Sequence, residues 1–288
     1  MKIYLDCYPC FLRQALQAGR FVTDDEGVLK DIMDAVASAM PGIPKDATSP
    51  KMGGMIHGIV RGVTGEEDPY RRVKAENLRE AMRHYGAMKD RVRAAADPLA
   101  FAARLSIVGN IIDYALVTDF DIENEIFSLA DRVMGIDDTA LLLEALKSAS
   151  SVLYLGDNVG ETVFDRVFIE EIGAPVTYAV RGRPILNDVT AEDAAASGLD
   201  GSSRILSSGC AAPGTLLDQC SEEFLEEFHR ADVIISKGQG NYESLSETNR
   251  PVFFLLRAKC PVVAADLSVN LGDFVLKGVN IPAVVGIQ

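Results

Sequence analysis

Two adjacent oxygen donors, Asp157 and Asn158, follow a short apolar run in Gly156-Asp157-Asn158-Val159-Gly160-Glu161. A carboxylate and an amide carbonyl are hard donors of the kind Mg²⁺ or Mn²⁺ takes. The flanking glycines permit the sharp turn that would aim both side chains into one cleft. The same pair would also serve as an Asx turn capping the next helix. A second carboxylate, Asp188, lies in Arg181-Gly182-Arg183-Pro184-Ile185-Leu186-Asn187-Asp188-Val189-Thr190. Brought beside the first pair it would complete a metal site with positions left for water and a substrate phosphate; its plainer role is a helix cap. Arg181 and Arg183 suit solvated turn positions better than phosphate contacts. A third segment, Lys237-Gly238-Gln239-Gly240-Asn241-Tyr242-Glu243, puts a lysine and a Gly-x-Gly after an apolar run. Glycines let backbone N–H groups approach a phosphate, and the lysine adds a point charge. The spacing matches neither a Walker A loop nor a dinucleotide fingerprint.

The remaining chemistry-bearing residues form weaker patterns. Cys7 and Cys10 make one Cys-x-x-Cys at the start of a helical stretch. With no second pair to complete four ligands, a structural role is favoured over a zinc or redox site, and a second metal stays open. Cys210, Cys220 and Cys260 are isolated and suit core positions. His57, His84 and His229 fall in helical stretches without metal-ligand spacing. No Gly-x-Ser-x-Gly elbow marks a serine hydrolase.

These residues need elements to position them. From 1 to about 148 the apolar residues recur at helical spacing: Phe11 to Ala18, Leu29 to Met40, a stretch entered by Asp68-Pro69, Phe101 to Ile112, Asp121 to Val133, and Asp138 to Leu146. From 149 to 288 short apolar runs alternate with helical stretches. The runs are Ser151 to Gly156, Ala174 to Val180, Asp232 to Ser236, Pro251 to Leu256, Pro261 to Ala264 and Ile281 to Val285. Apolar strands alternating with helices predict a mostly parallel sheet covered on both faces. The expected fold is α/β: a helical N-terminal lobe packed on a Rossmann-like, doubly wound lobe. In such sheets ligands bind beyond the carboxyl ends of strands, where all three candidate segments fall.

Composition narrows the partners. The 288 residues carry a formal net charge of -14, with 48% hydrophobic and 24% charged residues. An acidic surface disfavours nucleic acid and anionic membrane. No apolar run approaches the ~20 residues of a membrane span, and no signal-peptide pattern opens the chain, so a cytoplasmic location is expected. An anionic small substrate would need a local cation to overcome the field. Oligomeric state is not legible.

Six blocks together carry a resemblance. They are Asp6-Cys7-Tyr8-Pro9-Cys10 with Arg13-Gln14; Asp68-Pro69-Tyr70 with Lys74 and Asn77; Gly109-Asn110-Ile111-Ile112-Asp113; Gly156-Asp157-Asn158 with Gly160-Glu161 and Phe164-Asp165; Asn187-Asp188-Val189-Thr190; and Lys237 through Glu243. In this order, across nearly the whole chain, they resemble the damage-control phosphatase family, in particular its prokaryotic branch with an N-terminal Cys-x-x-Cys. The resemblance implies a divalent-metal phosphatase (Mg, Mn, Co or Ni) acting on small phosphometabolites such as damaged nucleotides or sugar phosphates. It places the metal on Asp157, Asn158 and Asp188, and the substrate phosphate on Lys237. Gly238, Gly240 and Asn241 would stand beside that phosphate. Asn110 and Asp113 would enter the cleft from the helical lobe, Asp113 as a candidate acid–base group. The Arg-x-x-Tyr signature of the sugar-phosphate branch is not evident, which favours a nucleotide-like substrate. Asp157 would either attack phosphorus or only hold the metal. Competing readings are a haloacid-dehalogenase-like phosphatase, which lacks its Asp-x-Asp-x-Thr here, a non-catalytic nucleotide-binding protein, and a Rossmann-like methyltransferase.

Overall fold

The apolar runs of the second half become the strands of one sheet. The computed structural model describes residues 1–109, 126–128, 130 and 132–282. Among these the strands are β1 (Ile136–Asp137), β2 (Val152–Leu155), β3 (Val176–Val180), β4 (Arg204–Ser207), β5 (Val233–Lys237), β6 (Val252–Arg257) and β7 (Phe274–Val279). Their order is β1-β7-β6-β5-β2-β3-β4. The five strands from β6 to β4 run parallel, β7 is antiparallel to β6, and β1 is parallel to β7.

Successive residues of a strand face opposite sides. Val152 and Tyr154 of β2, with Tyr178, Ile235 and Phe253, enter one core. Leu153 and Leu155, with Ala179, Ile234 and Phe254, enter the other. Unbroken apolar runs are therefore what these strands require. The first face is covered by α4 (Arg71–Arg93), α5 (Pro98–Val108), α6 (Thr139–Ser148), α7 (Thr162–Ile169) and α8 (Ala191–Ala196). The second is covered by α9 (Glu222–Arg230), α10 (Gln239–Leu245) and α11 (Pro261–Leu267). The first three helices, α1 (Cys7–Val22), α2 (Glu26–Ala39) and α3 (Ser49–Thr64), pack around Phe11, Ile32, Val36 and Ile56, with Leu186 from the β3–α8 loop against them.

The structure departs from expectation at several elements. Pro261 to Ala264, expected as a strand, opens α11: Pro261 occupies the first turn, where its missing N–H costs nothing, and Val263, Ala264 and Leu267 are buried at helical spacing. β4, β7 and the two-residue β1 lie where no strand was expected. β4 is an edge strand with a single buried residue, Leu206, so its sequence has no apolar run. In β7, Lys277 and Gly278 dilute the apolar signal. Ile281 and Pro282 have no regular structure. The rest of that predicted strand, and most of the predicted Asp121 to Val133 helix, lie outside the described residues. Helix α3 forms despite four glycines; at Gly53 a Cβ would stand 2.6 Å from Pro213, so the small residue is what lets this helix close on the loop after β4.

Strand β2 lies between β3 and β5. The chain leaves β2 toward one edge of the sheet and later returns to its other side, so the crevice at the carboxyl ends of β2 and β5 is the switch point where such sheets bind ligands.

Candidate active site

Asp157 and Asn158 leave the end of β2, and two backbone bonds join their segment to the one carrying Asp188. Val159 N–H donates to Asn187 O at 2.9 Å, and Val189 N–H donates to Asp157 O at 2.8 Å. Asn158 and Asp188 face one another as an antiparallel bridge. The three predicted donors therefore meet, from segments 30 residues apart, and all three are buried. They line a chamber of about 230 Å³ with Gln14, Ser49, Gln239, Gly240, Glu243 and Lys259.

Beneath them lies a network of buried charge. Asn158 Nδ2 donates to Glu161 Oε1 at 3.0 Å. Lys237 Nζ donates to Glu161 Oε2 at 2.8 Å, to Asp165 Oδ1 at 2.6 Å and to Ser106 O at 2.8 Å. Tyr154 and Tyr178 stack on one another and donate to the two oxygens of Asp165, each at 2.8 Å. Burial pushes Lys237 down, and Asp165 and Glu161 more than reverse this, leaving it well above the usual lysine range. This differs from the expectation of a lysine presented to phosphate. The Lys237 side chain is fully buried, with its three donors turned inward. The cation in the chamber is Lys259, which is exposed and borders both this chamber and its neighbour.

Arg181, expected in solvent, is also buried. Its Nε donates to Asp188 Oδ2 at 2.7 Å, and its Nη2 lies 3.9 Å from Asp157 Oδ1. Thr215 and Asn241 hold its other end, at 3.2 Å each. Asn241, expected beside the phosphate, is fully buried and ties Gly156 O and Lys237 O together. Arg183 does lie at the surface, beside Glu67. Gly240 lines the chamber; a Cβ there would strike Pro213 O. Gly238 has φ +80° and packs on the Asp157 carboxylate so closely that no side chain fits.

Burial, then Asp188 and Glu161, push the Asp157 carboxyl well above the usual carboxylate range, against Lys259 and Arg181. Burial also raises Asp188, against the Arg181 guanidinium beside it. Asp157, Asp188, Glu161 and Asp165 are thus four buried carboxylates facing two buried cations, Arg181 and Lys237.

An adjoining chamber of about 490 Å³ shares Gln14, Leu186, Asn187 and Lys259 with the first and adds Arg13, Gln17, Phe21, Tyr70 and Asn77. Cys10 lines it, and Arg13 and Gln14 lie 3.6 and 3.7 Å from its sulfur. Cys7 is half-buried nearby, and burial raises its thiol. No group of three or more His, Cys, Asp or Glu side chains is arranged to hold a metal among the described residues; the set at the chamber is two carboxylates and an amide. Asn110 and Asp113 lie outside the described residues. His57 is buried on α3 against Tyr70. Sequence reasoning missed Lys259, Glu243 and the meeting of Cys210 with Cys220, which pack in one small cluster while their thiols donate to Gly214 O and Leu216 O. Lys259 and Glu243 follow a strand and the Gly-x-Gly respectively, the one signal that would have found them. No described helix is long and apolar enough to cross a membrane.

A mostly parallel α/β sheet with an acidic, oxygen-lined cleft at its switch point is the frame of a ligand-binding α/β protein, and similarity to known proteins makes the class specific. The damage-control phosphatase ARMT1-like domain matches residues 3–275. The chain belongs to this family. It is 36% identical over 293 residues to a damage-control phosphatase of Archaeoglobus fulgidus, covering 97% of this chain and 100% of that one. It is 34% identical over 282 residues to the damage-control phosphatase PH1575 of Pyrococcus horikoshii, covering 96% and 97%. The crystal structure of a DUF89 family protein from the same organism matches with a TM-score of 0.90 at 35% identity, over 96% of this chain and 98% of that one.

Proposed function

We propose that this protein is a divalent-metal-dependent phosphatase that hydrolyses monoesters of small phosphometabolites at the β2–β5 crevice. The observation that carries this is the imbalance of buried charge, four carboxylates against two cations, at the floor of an open chamber. Buried carboxylates without counter-charge cost several kcal/mol each, and a divalent cation is the counter-charge of the right sign. The donors fit it: Asp157, Asp188 and the Asn158 carbonyl are hard oxygens. Asn158 Nδ2 donates to Glu161, and its carbonyl oxygen is the atom of that amide able to ligate a cation. A bound Mg²⁺, Mn²⁺, Co²⁺ or Ni²⁺ supplies charge neutralisation at the phosphate and orients the attacking group.

The chain's own residues do the rest. Lys259 takes the role first given to Lys237, a cation facing phosphate oxygens. Lys237 holds Glu161 and Asp165 and, through Glu161, fixes the Asn158 amide. Arg181 fixes Asp188. Gly238 leaves room for the Asp157 carboxylate, which either attacks phosphorus or only holds the metal. A beryllium fluoride adduct on Asp157 would favour the first. The adjoining chamber, with Phe21 and Tyr70 among Gln14, Gln17 and Asn77, suits a nucleotide-like leaving group by its mixture of rings and amides.

The test is phosphate release from a panel of phosphometabolites with each of the four metals, with Asp157→Ala as control. Turnover in wild type lost in the variant supports the proposal. Equal release from both proteins, or none with any metal, refutes it and leaves a protein that only binds phosphorylated ligands.

A further inference from the structure

Glu243 is a carboxylate of the chamber that the reading above does not use. It comes from α10 and lines the same 230 Å³ space as Asp157, Asn158 and Asp188. A chamber of that size holds little beyond a phosphoryl group and its ester oxygen, so a phosphate held at the β2 end lies within reach of the α10 wall.

We propose that Glu243 is the general acid of this site, handing its carboxyl proton to the ester oxygen as the phosphorus–oxygen bond breaks. The inference rests on the phosphatase reading. In the step, the leaving oxygen keeps the electron pair of the broken bond and takes the proton, departing as an alcohol. Glu243 is left as a carboxylate and regains a proton from solvent. The oxygen entering at phosphorus derives from water, so ester plus water gives alcohol plus phosphate.

The surroundings suit the task. The carboxyl is nine-tenths buried. Gln239 Nε2 donates to its Oε1 at 3.1 Å, and Gln239 Oε1 accepts the Lys259 N–H at 3.0 Å, which fixes the way the amide points. Ser49 lines the chamber beside it. The charged and titratable groups around it are the Met1 amino group, Cys7 of α1, Lys259 and Cys260 of the β6–α11 connection, and Asp157 and Asp188 across the chamber. Burial raises the carboxyl to about 7, against Ser49, Gln239 and the Met1 amino group. An acid works best when its own value lies near the working pH.

The experiment compares two esters in the metal-loaded enzyme. p-Nitrophenyl phosphate has a leaving group that departs without a proton; glycerol phosphate has one that needs it. Glu243→Gln is expected to lose about 100-fold or more in kcat on glycerol phosphate, the typical worth of a general acid. On p-nitrophenyl phosphate the loss is expected to be only a few-fold. The fall of kcat above neutral pH should also vanish on glycerol phosphate, and Glu243→Asp should recover part of the rate. The ratio between esters is read within one protein, so partial misfolding does not mimic it. Equal losses on both esters would overturn the inference alone, as would the leaving-group signature appearing in Asp113→Asn and not in Glu243→Gln. Wild-type protein inert on both esters and on the phosphometabolite panel with every metal would overturn the phosphatase reading and this inference with it.

Discussion

A fully buried lysine with a carboxylate on either side has its effect through what it leaves behind when removed. Lys237→Met would strand Glu161 and Asp165 without a counter-charge, and breaking a buried pair in this way costs about 3–5 kcal/mol. Urea unfolding should show that loss; a loss below about 1 kcal/mol would place the ammonium elsewhere. Glu243 gives a pH prediction. Its carboxyl rises from 4.5 to about 7 on folding. A raised value means its contribution to stability is fully present below 4.5 and is lost as pH rises through 7. Melting curves between pH 4 and 8 should therefore show wild type losing ground to Glu243→Gln as pH rises across this window. A constant difference would contradict the shift. At this scale the sequence revealed Asp157, Asn158 and Asp188, because polar residues after apolar runs stand out. It did not reveal that Lys237 and Arg181 point inward. The Lys237 partners lie 72 and 76 residues away, and no local pattern marks such pairs.

The elements matter here through how closely they approach. Gly238 joins β5 to α10 with a positive φ, and its Cα rests on the Asp157 carboxylate. Gly238→Ala would place a methyl group on that carboxylate and hold a non-glycine residue at φ +80°, which by itself costs of order 1–3 kcal/mol. Asp157 must then move, so turnover should fall at least 10-fold along with stability. Full activity in the variant would show that Asp157 need not sit where the structure puts it. β2, β3, β5 and β6 were legible because strands buried on both faces are apolar throughout. β4 and β7 were not, since an edge strand and an antiparallel strand with a lysine carry no such run. Pro261 to Ala264 was ambiguous by nature: four apolar residues fit a short strand or one helical turn, and the packing of Leu267 decides.

Across the whole molecule the switch point collects acidic groups from the end of β2, the β3–α8 loop and the start of α7. A metal that binds the folded chain alone should stabilise it by about 2.7 kcal/mol at a hundred times its Kd. Mn²⁺ should accordingly raise Tm in wild type, and much less in a variant carrying both Asp157→Asn and Asp188→Asn. The double variant also strands the buried Arg181 guanidinium, so without metal it should be less stable than metal-free wild type, and the comparison is made on the Mn²⁺-induced shift within each protein. Six separated blocks made the family legible from sequence, while the chamber's own cation, Lys259, became visible only when the β6–α11 connection was placed beside β2. The central claim is that the metal held by Asp157, Asn158 and Asp188 is the one that supports hydrolysis. The most direct measurement follows Mn²⁺ bound by metal-stripped protein and phosphate released, in one titration. One Mn²⁺ per chain, with release rising along the binding curve and both lost in Asp188→Asn, is the expected result. Release that is indifferent to Mn²⁺, or Mn²⁺ binding unchanged in Asp188→Asn, would contradict it.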